Sequence, residues 1–142
     1  MTNKNFTFSF LSKGKPIDIY NFLLTVDQWW SGLYNEVVIG NYKNVGDEFT
    51  FNAGGGAHYS KQHLVELIPL KKILWLVTES NLSFLAKKDE WNNTKFGFDI
   101  SDEEGQTKVK FTHEGLIPKI ECYDSCSNAW TQYLKNLEFK LG

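Results

Sequence analysis

Apolar and polar residues alternate singly at the start of the chain: Phe6, Phe8 and Phe10 are separated by Thr7 and Ser9, the period of a half-buried strand. Gly14-Lys15-Pro16 breaks the alternation, and the next apolar positions, Ile19, Phe22, Leu23, Val26 and Trp30, recur at three and four residues. That spacing predicts a short amphipathic helix, with Pro16 in a first turn where its missing N–H is not needed. Trp29-Trp30-Ser31-Gly32 ends it. Residues 36–40 and 47–53 read as strands, the second placing Phe49 and Phe51 opposite Glu48, Thr50 and Asn52. Gly54-Gly55-Gly56 runs into another strand-like stretch, 58–67, instead of a helix, so it reads as a hairpin loop and not as a phosphate cradle. After the turn at Pro69-Leu70-Lys71-Lys72, residues 73–78 form the most continuously apolar strand, which suits the centre of a sheet.

Residues 79–93 are longer than the usual connection of about 4–6 residues. Leu82, Phe84, Leu85 and Trp91 stand there among Lys87, Lys88, Asp89 and Glu90, which fits either a lid over a cavity or a loop tucked onto the sheet edge. Residues 94–101 put Phe96, Phe98 and Ile100 on one face, and residues 108–114 do the same with Val109, Phe111 and His113, joined through a turn at Asp102-Glu103-Glu104-Gly105. The period then changes. Cys126, Trp130, Leu134, Leu137 and Leu141 follow spacings of four, four, three and four, one stripe along a long C-terminal helix. A mostly antiparallel sheet with helices at its ends belongs to the α+β class. With 142 residues and no repeat or linker, one domain over 1–142 is expected.

Composition changes this picture in one respect. Eleven Phe, six Tyr and five Trp make the chain 15% aromatic, as an aromatic-lined cavity or a large packed core would require. The net charge of −2 gives no positive field for nucleic acid. The longest apolar run, 73–77, falls far short of the roughly 20 residues of a membrane span. No apolar signal core precedes the first strand, so a cytoplasmic location is expected. Cys122 and Cys126 lie one helical turn apart, where a disulfide would close almost no loop, and they read as reduced thiols with Cys126 packed.

Candidate chemistry is sparse. His58 and His63 differ by an odd number of positions in one strand, so they face opposite ways and cannot share a metal; no metal or cofactor is expected. His63 shares a face with Val65 and Leu67, and His113 with Phe111 and Val109, which puts two imidazoles on the surface read as inner. Each either closes the core through hydrogen bonds or orients a polar group as acid or base. The carboxylate clusters have ordinary explanations as turns, and no G-x-S-x-G elbow occurs, so no catalytic residue is assigned. The inward stripes nominate a cavity lining of Phe49, Phe51, Tyr59, His63, Trp75, Phe96, Phe98, Phe111, His113 and Trp130, with Leu74 and Leu76 as the alternative to Trp75.

The order of elements, Trp29-Trp30-Ser31-Gly32, Val45-Gly46-Asp47-Glu48-Phe49, and Val65-Glu66-Leu67-Ile68-Pro69 followed by Lys72-Ile73-Leu74-Trp75 resemble the START-like SRPBCC superfamily. Phe111-Thr112-His113-Glu114-Gly115-Leu116 and the helix from Ala129-Trp130 to Asn136-Leu137 are similar to its branch named for the C-terminal domain of the heat-shock protein 90 ATPase activator, with Ala129 where glycine is more usual. The resemblance implies a helix-grip fold, a curved sheet wrapped around a long C-terminal helix. It implies, first, binding of a small hydrophobic or amphipathic molecule in an internal cavity. The alternatives are a protein-interaction domain, though without the additional N-terminal domain of full activators, and a cyclase- or hydrolase-like enzyme using an inward histidine.

Overall fold

The computed structural model describes residues 4–141. Strands β1 (Phe6–Ser12), β2 (Val37–Gly40), β3 (Glu48–Ala53), β4 (His58–Ile68), β5 (Lys72–Leu82), β6 (Lys95–Glu103) and β7 (Gln106–Glu114) form one antiparallel sheet in the order β1-β7-β6-β5-β4-β3-β2. Successive strands from β2 to β7 pair as a meander, and β1 joins the far edge beside β7. Helices α1 (Pro16–Leu24) and α2 (Val26–Trp29) carry the chain from one sheet edge to the other, and α3 (Tyr123–Leu141) lies in the concavity. This is the helix-grip arrangement. No helix of the described residues is long and apolar enough to cross a membrane.

The helix predicted through Trp30 is broken at Thr25, whose φ/ψ of −89°/75° leaves the helical region and whose N–H turns back to the carbonyl of Phe22 at 3.0 Å. Trp30 then lies past the last turn of α2 with φ/ψ of −96°/63°. The break sends both neighbouring indoles inward: Trp29 and Trp30 are 1% and 2% exposed. Trp29 Nε1 donates to the carbonyl of Leu23 at 2.8 Å, so its polar edge is satisfied while its ring packs on Phe98.

Curvature comes from irregularities in the β4–β5 pair. The register shifts between Lys61 and Gln62 and again between Leu64 and Glu66, so Thr78 and Val65 have no partner in the ladder. The second bulge corrects the predicted facing of β4. Leu67 does pack on the core, but Val65 is the extra residue, so parity reverses across it and the inward residues before the bulge are Ser60, Gln62 and Leu64. His63 therefore lies on the outer face, where its Nδ1 is 3.4 Å from Glu48 Oε2, and Tyr59 lies on that face too. Trp75, by contrast, is inward and fully buried, between Ile73 and Val77.

The long segment divides. Its first residues extend β5 to Leu82, and Leu82, Leu85 and Trp91 are all buried, which explains their apolar character. The remainder is tied to the start of α3 by an exchange of carboxylates. Glu90 accepts the N–H groups of Glu121 and Cys122 at 2.8 and 3.0 Å, where negative charge suits a helix N-terminus. Glu121 accepts those of Ala86 and Lys87 in return. One close approach constrains the sheet: a Cβ at Gly97 of β6 would stand 2.0 Å from the carbonyl oxygen of Ile73 on β5. Gly97→Ala is expected to lower stability by about 1–3 kcal/mol through forced backbone displacement, read as a fall in the urea midpoint; an unchanged midpoint would show that β5 and β6 separate freely.

Candidate functional site

Between the β3–β4 hairpin, the segment after α2, the β5–β6 connection and the first half of α3 the fold leaves a cavity of about 250 Å³. Trp30, Phe51, Trp91 and Trp130 form its aromatic lining, with Ala53, Ala57 and Ala129 supplying the room that larger side chains would fill. Tyr34 and Phe84, 45% and 52% exposed, stand on its rim. The aromatic planes are aligned. Trp30 stacks on Phe51 at 3.6 Å and 9°, Trp130 on Trp30 at 5.0 Å and 23°, and Trp91 on Trp130 at 5.8 Å and 6°.

Polar groups reach the cavity from His58, Tyr133, Ser125 and Cys126. The His58 ring stands edge-on to Trp91 and Phe51, at 4.7 and 5.3 Å, and its Nε2 is shielded from solvent with no hydrogen-bond partner among the described residues. Burial among these rings lowers its pKa to about 4, so the imidazole is neutral at physiological pH. Tyr133 donates its hydroxyl to Glu36 Oε2, and Glu36 also accepts the N–H groups of Gly32, Leu33 and Tyr34. Burial raises the Glu36 pKa, but these donors outweigh it and hold the carboxyl below its ordinary range. Burial and the same carboxylate push the Tyr133 phenol up, so it stays a donor to Glu36. One carboxylate thus holds the rim segment against α3.

His113 is fully buried behind the cavity, and both its nitrogens are engaged. Trp130 Nε1 donates to Nδ1 at 3.0 Å, which leaves the proton on Nε2, 2.9 Å from Thr94 Oγ1. Thr94 donates onward to the carbonyl of Trp91 at 2.6 Å. Burial first, and His58 second, lower the His113 pKa to about 3. The chain of donors fixes the orientation of Trp130, and through it one wall of the cavity. Cys122 accepts from Trp91 Nε1 at 3.3 Å. Its thiol is held well above the ordinary range by a hydrogen bond with Cys126 and by burial, so it is an unreactive packing group.

A family model described as activator of Hsp90 ATPase homolog 1-like protein matches residues 18–142. The chain belongs to that family. Its fold is START-like and of the SRPBCC type, shared by ligand-binding and interaction domains. Among solved structures, the Aha1 dimer from Colwellia psychrerythraea is 24% identical, with a TM-score of 0.73 over 97% of this chain and 96% of its own. A protein from Chromobacterium violaceum gives 19% identity and a TM-score of 0.73, with 96% of each chain covered. The major latex-like protein 151 of Panax ginseng is 13% identical, with a TM-score of 0.67 over 98% of this chain and 97% of its own. At these identities the likeness is one of fold. No curated protein matches the chain.

Of the lining residues nominated from the sequence, this member of the activator-homolog family brings Phe51 and Trp130 to the cavity. Phe49, Trp75, Phe96, Phe98, Phe111 and His113 are inward but belong to the packed core beside it, and Tyr59 and His63 lie outside. Sequence reasoning missed His58, Trp30, Trp91 and Tyr133 as lining residues. For His58 a signal existed. Across the short Gly54–Gly56 turn Ala53 pairs with His58, Phe51 with Ser60 and Phe49 with Gln62, and directly paired residues share a face. Inward Phe51 therefore places His58 inward. The signal is masked because the inward residues that follow His58 are polar, with Gln62 Nε2 donating to Ser60 Oγ at 3.0 Å.

Proposed function

We propose that the chain binds a small hydrophobic or amphipathic molecule in this cavity. The observation that carries the reading is an unfilled, ring-lined space inside a domain that otherwise packs its aromatic residues closely. Burial of apolar ligand surface, at about 25 cal/mol per Å², would drive association. The reading assigns no chemistry to His63, on the outer face, or to His113, whose nitrogens are already engaged.

Native mass spectra of gently purified protein are expected to show an adduct of roughly a few hundred daltons, the scale of a ligand that such pockets hold, which disappears on denaturation. Ala129→Phe, which projects a ring from α3 into the space, is expected to abolish it while the circular dichroism stays native. A bare mass for the wild type, with or without added ligand, would reject the cavity as a binding site. A second reading, a protein-interaction domain, draws on the family description and on the exposed apolar residues Val37 and Ile39 of edge strand β2, 49% and 64% exposed. In that case Ile39→Lys would abolish partner capture and leave ligand binding intact.

A further inference from the structure

The lining of the cavity is specific about shape, size and charge. A volume of about 250 Å³ lies below the roughly 300–1,000 Å³ of pockets for drug-sized ligands and above the roughly 150 Å³ that encloses benzene. The enclosed part has space for one or two rings, and a long acyl chain or a four-ring sterol would extend past the Tyr34 and Phe84 rim. The shape follows from the aromatic walls. Phe51, Trp30, Trp130 and Trp91 lie nearly parallel and stack on one another, so the wall they build along the cavity has one shared orientation that a flat molecule can follow.

Charge is decided by what is absent from the lining and by what lies behind it. No Lys, Arg, Asp or Glu lines the cavity among the described residues. Behind the wall the Glu36 carboxylate is bonded to Tyr133, a lining residue, and would repel a bound anion. A ligand carboxylate would lose its water without gaining a cation. Among the polar groups that line the cavity, His58 has spare hydrogen-bonding capacity, since its shielded Nε2 has no partner among the described residues. Tyr133 is committed as a donor to Glu36, so toward a ligand its oxygen can only accept.

We propose that the cavity takes a neutral, planar molecule of one or two fused aromatic rings bearing a hydroxyl, with the rings lying along the Trp30 and Trp130 planes and the hydroxyl hydrogen-bonded to His58. This inference rests on the cavity being a binding site and adds the class of ligand.

Binding of naphthalene, 2-naphthol and 2-naphthoate to the full chain, followed by tryptophan fluorescence and calorimetry at pH 7, tests it. 2-Naphthol is expected to bind about tenfold more tightly than naphthalene, the factor one buried hydrogen bond supplies. 2-Naphthoate is expected to bind more weakly than either. His58→Phe should bring the ratio of 2-naphthol to naphthalene affinity close to one. Equal affinity of the two neutral probes for the wild type, or strongest binding by the naphthoate, would overturn the proposal while leaving the cavity reading standing. A ratio that survives His58→Phe would overturn the role of that residue. If no probe binds and the native mass is bare, the cavity reading fails and the proposal with it.

Discussion

Trp130→Ala is expected to lower the free energy of unfolding by about 5 kcal/mol, the upper end of the range for removing a large buried aromatic. The indole is 2% exposed and packs against Trp29, Trp30, Trp91, Phe96, Phe111 and Tyr133, so the space it leaves is bounded by rings that cannot collapse into it. The substitution also strips His113 Nδ1 of the Trp130 donor, its only one among the described residues, and an orphaned buried acceptor costs about 1–3 kcal/mol by itself. Against a typical total of roughly 5–15 kcal/mol, at least about a third of the stability goes. Trp130→Phe separates the contributions: it keeps a ring in place and removes the N–H, with an expected loss of about 2 kcal/mol. Urea unfolding of the variants measures both. A loss under about 1 kcal/mol for the alanine variant would mean that α3 is not the keystone of the aromatic core.

The fold is expected to lose stability steeply between pH 7.5 and pH 5. His58 and His113 are neutral in the folded state, with pKa values lowered from 6.5 to about 4 and about 3. In the unfolded chain each imidazole binds a proton near pH 6.5, so below that pH the unfolded state carries more protons and is favoured as pH falls. Stability is fully present above pH 6.5 and is lost on the way down to the folded pKa values. Each residue contributes about 2 kcal/mol of loss at pH 5, or about 4 kcal/mol together. Glu36 and Glu121, held below the ordinary value of 4.5, add to the loss only at lower pH. Urea midpoints at the two pH values test the prediction, and His58→Phe should remove about half of the difference. A midpoint indifferent to pH over this window would show that the imidazoles are protonated inside the fold.

Elements of the fold were legible wherever local chemistry and tertiary packing agree. The alternation of Phe6, Phe8 and Phe10, the inward stripes of β6 and β7, the stripe of α3 and the central place of residues 73–78 all carry a single period from end to end, and the structure reproduces them. Trp29 and Trp30 show where that agreement stops. A continuous helical spacing covers them, but the chain bends at Thr25 because both indoles fill more core as neighbours beyond a break than on one helical turn. On β4, apolar Val65 and Leu67 suggest a face for His63 and Tyr59 that a single unpaired residue reverses.

By itself the sequence determined the class of fold, the family and the inward stripes of β1, β3, β6 and β7, since these follow from periodicity and from motifs local to the chain. Tertiary structure alone decided which inward rings interlock and which stop short of one another. Phe49, Trp75 and Phe98 fill the core, whereas Trp30, Trp91 and Trp130 leave a space between β3, β4 and α3, and nothing in the period of any one segment distinguishes the two groups. A cavity is a deficit of volume among residues far apart in sequence, and a bulge shifts a face by changing the pairing of two strands. Neither property belongs to a single segment, and so each becomes defined only when the segments meet.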